Sequence, residues 1–454
     1  MSTTLPLNDI KFTKTKGGMG RKAASEDPVS GLLMFLPEMG DFSFLSDANG
    51  SPFIKIDKPD GTTNHDLYVA KLLYPEDLAS LGTGIEEQEL STVYDATNNT
   101  AAKYKEKAAK NAVVYHVTEF FRMNPEGVLY LGIKTAGSYI DKKDISALQK
   151  WANGTIRQCG VLTASLNDHI ANYQTECETL EEKHTPLSLV CTTAGFTQTV
   201  SNPTGAGTAL TLGDLTASDE SYEFADLIST STNLVSDGRC NVSVLVGCDL
   251  DTALYQRLGY FAYYGCIGTC LGAVSKAKVH ECIAWVGNFP LGLKEPGLIC
   301  DKPINEVSER DMTKINSNRY LFVLTHVGNA DNYFNDSHTL DDPTSDYAYI
   351  ENVRTIDKAC RGVCAKMLPH LNSPLKVDAE TGKLDAPTVA FLETIAGEAL
   401  EDMEKAGELS GYRAEIDPDQ NVIATSAVEI VIRNVPKGVM RKVNVKIGFT
   451  TALS

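Results

Sequence analysis

Residues 241–287, "NVSVLVGCDLDTALYQRLGYFAYYGCIGTCLGAVSKAKVHECIAWVG", decide the fold. They open on a compact apolar run, "NVSVLVGCD", the usual look of a strand buried on both faces. An apolar helix follows over "DTALYQRLGYFAYYGCIGTCLGAV", and "VHECIAWVG" reads as the next strand. Strand, helix, strand at this spacing predicts a layered α/β domain. The same grammar runs upstream. "VSGLLMFLPE", "CGVLTA" and "LSLVCTTAGF" are short apolar runs, and helices are predicted over "ISALQKWANGTIRQ" and "LNDHIANYQTECETLEEKH". "NHDLYVAKLLYPEDLASLG" repeats apolar residues at helical spacing, whereas "NAVVYHVTEFFRMNPEGVLYLGIKT" holds two strand-like runs around a turn. "SNPTGAGTALTLGD" is a Gly/Thr/Pro loop between elements.

Beyond residue 297 the pattern changes. "RYLFVLTHVG" reads as a strand. A polar loop follows, in which Asp331, Asp336, Asp341, Asp342 and Asp346 read as solvated acids. Two helices come next. Ile350, Val353, Ile356, Cys360, Val363 and Met367 form the first stripe, with Asp346 as expected N-cap and Pro369 as stop. Val389, Leu392, Ile395, Ala399 and Met403 form the second, opened by Asp385 and Pro387 and ended at Gly407 or Gly411. With "YRAEI" they predict a small α/β unit.

The chain closes on "SAVEIVIRNVPKGVMRKVNVKIGFTTALS", residues 426–454. Val428, Ile430 and Ile432 alternate with polar neighbours, and so do Val443, Val445, Ile447 and Phe449. A two-residue period with β-branched side chains predicts two half-buried strands. The interruption contains Pro436 and Gly438 and is long for a tight hairpin, so a longer loop and a hinge both fit it. At the other end, residues 1–25 read as an arm: Ile10 and Phe12 make a minimal strand, followed by a Lys- and Gly-rich tether.

The 454 residues exceed what one hydrophobic core usually serves. A net charge of −18 argues against a nucleic-acid binder, which needs a basic patch to neutralise phosphates. There is no apolar run of membrane-spanning length and no signal-peptide core at the N-terminus, which predicts folding in a cytoplasm. The 11 cysteines include no C-x-x-C pair and read as small core residues of a reducing compartment. The cluster Gly17-Gly18-Met19-Gly20 lacks the Gly-Lys-Ser/Thr ending and preceding strand of a phosphate loop. No G-x-S-x-G or H-E-x-x-H is present, and the eight histidines are scattered. An α/β enzyme with dispersed catalytic residues stays open, as does a non-contractile tube or capsid protein.

The stretch "YIENVRTIDKACRGVCAKMLPHLNSPLKVDAETG", with the closing "RKVNVKIGF", resembles the C-terminal domain of contractile tail sheath proteins. "DISALQKWANGTIRQCGVLTA", "LEEKHTPLSLV" and "LGAVSKAKVHECIAWVGNF" are similar to the Mu-like phage sheath group. The resemblance covers residues 130–290 and 345–450 and implies a multidomain α/β sheath fold. It implies an arm (1–25), a middle, outward-facing α/β region (26–304), an assembly domain (305–441) and an exchanged strand (442–454). Subunits of this family stack as six-membered rings around a tail tube and contract to drive it through a target envelope. Ile10, Phe12, Val443, Val445, Ile447 and Phe449 would then be inter-subunit strand residues, with Pro436 and Gly438 as hinge. Glu401, Glu404 and Lys405 would face the tube. The implied partners are further copies of the chain, a tail tube protein, and baseplate and tail terminator proteins, with no nucleic acid and no membrane insertion. No catalytic residue, cofactor or metal is implied. Assembly would take place in a bacterial cytoplasm, and the product would be a virion tail or injection particle.

Overall fold

In the computed structural model the described residues are 27–36, 53–56, 67–81, 101–163, 166, 169–193, 240–251 and 265–449. Their body is built on one seven-stranded sheet. Its strands are β1 (Val29–Phe35), β2 (Ile54–Ile56), β3 (Leu67–Leu72), β4 (Val128–Lys134), β5 (Gln158–Thr163), β6 (Ser188–Thr193) and β7 (Val242–Val244). The order is β2-β3-β4-β1-β5-β6-β7. β4, β1, β5, β6 and β7 run parallel, while β3 and β2 close one edge antiparallel.

The sequence explains the layering. Parallel strands joined by helices are covered on both faces, so every residue of β1, "VSGLLMF", is buried. Alternate residues take opposite faces. Leu32 and Met34 enter one core with α1 (Ala101–Met123), while Leu33 and Phe35 enter the other with α2 (Lys142–Trp151) and α3 (Ile170–Glu182). β8 (Gly247–Asp249) follows β7 and pairs elsewhere. α4 (Ile267–Lys276) lies beside α1 because two glycines face that helix. A Cβ on Gly268 would stand 2.0 Å from the His116 carbonyl oxygen, so the backbones approach closer than any side chain allows. α2 starts on a capping box: Asp141 accepts from the Lys143 amide, and Asp144 accepts from the Asp141 amide at 2.7 Å. Asp144 also pairs with Lys134 at the end of β4, at 2.6 Å, tying helix to sheet.

β9 (Pro296–Leu298), β10 (Lys302–Pro303), α5 (Glu309–Ser317), β11 (Val323–Thr325) and β12 (Asn332–Phe334) complete the body. Val307, Ile315, Tyr320, Phe322 and Leu340 are buried in the second core. Ile304 and Val307, on either side of position 304/305, share that core. Leu321 bridges to Leu245, which continues the chain from β7, and carries this segment into the sheet layer.

α6 (Ile350–Met367) belongs to both parts. Ile350 sits in the first core, and Ala359 begins a small separate one with Leu400, Met403 and Leu409. The unit beyond it comprises α7 (Ala386–Lys405), β13 (Leu409–Glu415), the single turn α8 (Val422–Thr425) and β14 (Val431–Pro436). Asp385 caps α7 through the Thr388 amide, Pro387 lies in its first turn, and Gly407 ends it at φ +76°. Lys358 of α6 pairs with both Asp27 and Glu408 at 2.6 Å.

Several sequence expectations give way. "NAVVYHVTEFFRM" is helix, because Ala109, Ala112, Val113, Val117 and Phe120 recur at three- and four-residue steps and bury one stripe. "LYVAKL" is β3, paired with β4, and helical turns begin only at Pro75. "VHECIAWVG" forms turns rather than a strand. Its Glu281 and Trp285 amides close turns on the Lys278 and Cys282 carbonyls, and Thr355 of α6 takes the carbonyl of its first residue, Val279. Tyr349, not Asp346, takes the N-cap position of α6. Among the described residues no helix is long and apolar enough to cross a membrane.

Candidate assembly site at the C-terminal tail

β13 and β14 pair antiparallel, Tyr412 opposite Asn434 and Glu415 opposite Val431. Among the described residues no third strand joins them, so each has an open edge. A two-stranded ribbon is marginal alone and here leans on α7 through Tyr412 and Ile432. The strand expected over Val428–Ile432 starts later and runs further, to Pro436. Gln420 holds the backbone of Glu429 by two bonds, which keeps the lead-in segment out of the ladder.

Pro436 is the last strand residue, and its carbonyl accepts from the Ser410 hydroxyl at 3.0 Å. The proline of the expected hinge is thus held in the sheet, while Gly438 has open space around it. From Lys437 to Phe449 the chain is irregular, exposed save for half-buried Val439, and without a strand partner among the described residues. Exposure climbs from 62% at Val443 through 77% at Val445 to 96% at Ile447, and Phe449 is bare. The run does not fold back as a hairpin on β14, and it is not half-buried as its alternation suggested. Ile10 and Phe12 lie outside the described residues. Glu401, Glu404 and Lys405 are exposed near the end of α7, where Lys405 pairs with Glu401 at 2.5 Å, one turn back.

One residue of the tail is not bare. The Arg441 guanidinium lies 3.5 Å over the Tyr349 ring. Its Nε donates to both Asp336 oxygens, at 2.9 and 3.1 Å, and its terminal nitrogen donates to Glu351 and to the Ser337 hydroxyl. Burial would lower the Arg441 pKa, but the Glu351 and Asp336 carboxylates outweigh it and raise it. The Glu351 side chain is only 2% exposed. Burial pushes its carboxyl up from the ordinary range, against the pull of Arg441 and the Ser337 hydroxyl. Asp336, read from sequence as a solvated acid, is this arginine's partner, and Asp341 is buried, accepting from the Ser345 hydroxyl. Arg441 opens the "RKVNVKIGF" motif, where nothing local marks this role. Its partners lie about a hundred positions away, so no local spacing reveals them.

A second feature lies where α6 ends. Met367, Leu371, Leu392, Ile423, Val428 and Ile430 line an open, mainly apolar groove of about 800 Å³.

A family model described as the DUF2586 N-terminal domain matches residues 79–338, and one described as the DUF2586 C-terminal domain matches residues 346–454. The chain belongs to the DUF2586 family. No curated protein matches it. Among solved structures, this DUF2586 chain is similar to a chain of the PVC sheath complex, an extracellular contractile injection system in its contracted state. That match has 13% identity, covers 100% of this chain and 99% of that chain, and has a TM-score of 0.53. It is also similar to a chain in the 6-fold symmetrised anti-feeding prophage (AFP) baseplate, at 11% identity, with 99% and 100% covered and a TM-score of 0.51. At these identities the likeness establishes a shared fold over the whole length, the mixed α/β architecture that the sequence predicts.

Proposed function

We propose that this DUF2586 protein is the sheath subunit of a contractile particle, built from copies of itself around a tail tube. The observation that carries the reading is the end-to-end fold likeness to a chain of a contractile sheath complex. The bare, alternating tail supports it. An extended strand with open backbone groups adds to a sheet edge of another molecule: hydrogen bonds give affinity and alternating side chains give register. β13 and β14 each offer such an edge. Burying Val443, Val445, Ile447 and Phe449 in a neighbour contributes about 1.5–3 kcal/mol each at most. A donor on one face and an acceptor on another make a head-to-tail contact, and head-to-tail contacts that do not close grow into helical polymers.

In this reading residues 1–25 and 442–454 are exchanged arms, residues 26–304 face outward, residues 305–441 form the assembly domain, and the α7 end bearing Glu401, Glu404 and Lys405 faces the tube. Stacked six-membered rings and the Mu-like assignment rest on the sequence resemblance. Partners are the tube, baseplate and terminator proteins of the same particle. The likeness to a baseplate-structure chain favours a second reading, a component confined to the baseplate.

The full chain expressed alone and viewed by negative stain tests the proposal. Wild type is expected to form long rods, and Val445→Asp with Ile447→Asp to leave soluble subunits with an unchanged melting curve. Rods that persist in the double variant overturn strand donation. Wild type that stops at single rings supports the baseplate reading.

A further inference from the structure

The tail is riveted at one point. Segments on both sides of Arg441 are exposed and irregular, with Met440 80% and Val443 62% exposed. Between them one side chain places its guanidinium 3.5 Å from the Tyr349 ring centre, makes a two-oxygen contact with Asp336 and bonds to Glu351 and Ser337. The receptor for this guanidinium is built, not incidental. The Ser337 hydroxyl donates to Glu351 and holds it in place at 2.5 Å. The other faces of the site are Arg319, 5.2 Å from the Tyr349 ring centre, and His338, whose ring lies 5.7 Å from it. Asp336 and Ser337 follow β12, and Tyr349 and Glu351 begin α6, so the site belongs wholly to the body.

We infer that Arg441 is the positioning residue of the tail: it fixes the tail's root to the body, so that only the residues after it swing. The inference concerns where the tail starts; its consequence for polymers rests on the strand-donation reading. With the rivet in place, residues 442–449 reach about 26 Å at roughly 3.3 Å per residue. Without it the free tether begins at Lys437 and reaches about 43 Å on the same measure. A short tether of fixed origin finds one acceptor site at high effective concentration; a longer one dilutes it and admits wrong acceptors. Lysine cannot replace Arg441 fully, because donating to Asp336, Glu351 and Ser337 at once from over the Tyr349 ring uses the fork of a guanidinium.

Limited trypsin digestion of the full chain, read by intact mass, tests this. The Val445→Asp/Ile447→Asp background keeps the readout independent of assembly. Cleavage after Lys437 is expected to be at least about tenfold faster in Arg441→Gln, intermediate in Arg441→Lys, and faster in Asp336→Asn, each with an unchanged melting curve. Equal cleavage rates in folded Arg441→Gln and its parent overturn the rivet. If Arg441→Gln does not fold, Asp336→Asn and Arg441→Lys decide on the same criterion. In an otherwise native tail, Arg441→Gln is expected to give rods of irregular diameter; uniform rods overturn the consequence for register while leaving the rivet to the digestion result. If the double aspartate variant polymerises like wild type, strand donation fails and the digestion still judges Arg441 alone.

Discussion

The body and the C-terminal unit solve the burial problem in opposite ways. The body hides its apolar residues on both faces of one sheet, in two large cores. The unit has only small cores, and it leaves Leu368, Leu371, Phe391, Ile423, Val435 and the tail in solvent. A monomer of ordinary composition does not need so much uncovered apolar surface in one place. The contrast teaches where stability is intrinsic and where it waits for a partner.

The comparison breaks first if the body tolerates crowding. Gly268→Ala drives a methyl into the His116 backbone of α1. Overpacking of this kind is expected to cost roughly 3 kcal/mol or more, read as a large drop in melting temperature. Acid sensitivity should also reside in the body. Burial holds His116 at about 3 and His338 at about 4, against 6.5 unfolded. A lowered histidine is neutral in both states above pH 6.5, so it has no effect there. As pH falls below 6.5 the unfolded chain takes up the proton first, and stability is lost down to the folded value. For His338 the loss is on the order of 3 kcal/mol, and His338→Gln should flatten the melting-temperature profile between pH 6.5 and 4. An unchanged profile would remove His338 from the account.

The unit should respond weakly as a monomer. Leu371→Ser at the exposed groove is expected within about 0.5 kcal/mol of wild type by denaturant melts, with its effect confined to polymers. Truncation after Lys442 should likewise leave the melt unchanged. Smallest of all is Lys405→Ala, which removes only a solvent-screened one-turn ion pair with Glu401 and is expected to leave the melting curve unchanged.

The layered α/β body was legible because short apolar runs at regular spacing carry it. The two C-terminal helices were legible because their stripes and their punctuation at Asp385, Pro387 and Gly407 are local. Errors arose where tertiary contacts override local pattern. "VHECIAWVG" alternates well enough for a strand, yet its amides close local turns and Thr355 from α6 takes the Val279 carbonyl. "NAVVYHVTEFF" is β-branched and aromatic, yet a helix lying on a sheet accepts such residues when their period is right. The tail's alternation was visible, but its lack of cover in one subunit was not. Arg441 was invisible as a site, because a rivet is defined by partners distant in sequence.

α6 carries an anchor near each end of the described chain. Lys358 holds Asp27, where the N-terminal part of the chain enters the described fold, and Glu351 holds Arg441, where the tail departs. Both side chains stand on one helix, about 10 Å apart at roughly 1.5 Å per residue. A pull on the tail is therefore delivered, through Arg441, to a helix that holds Asp27 about two turns away. Arg441, though far along the chain, is thus anchored to the same helix as the lead-in to the central strand β1.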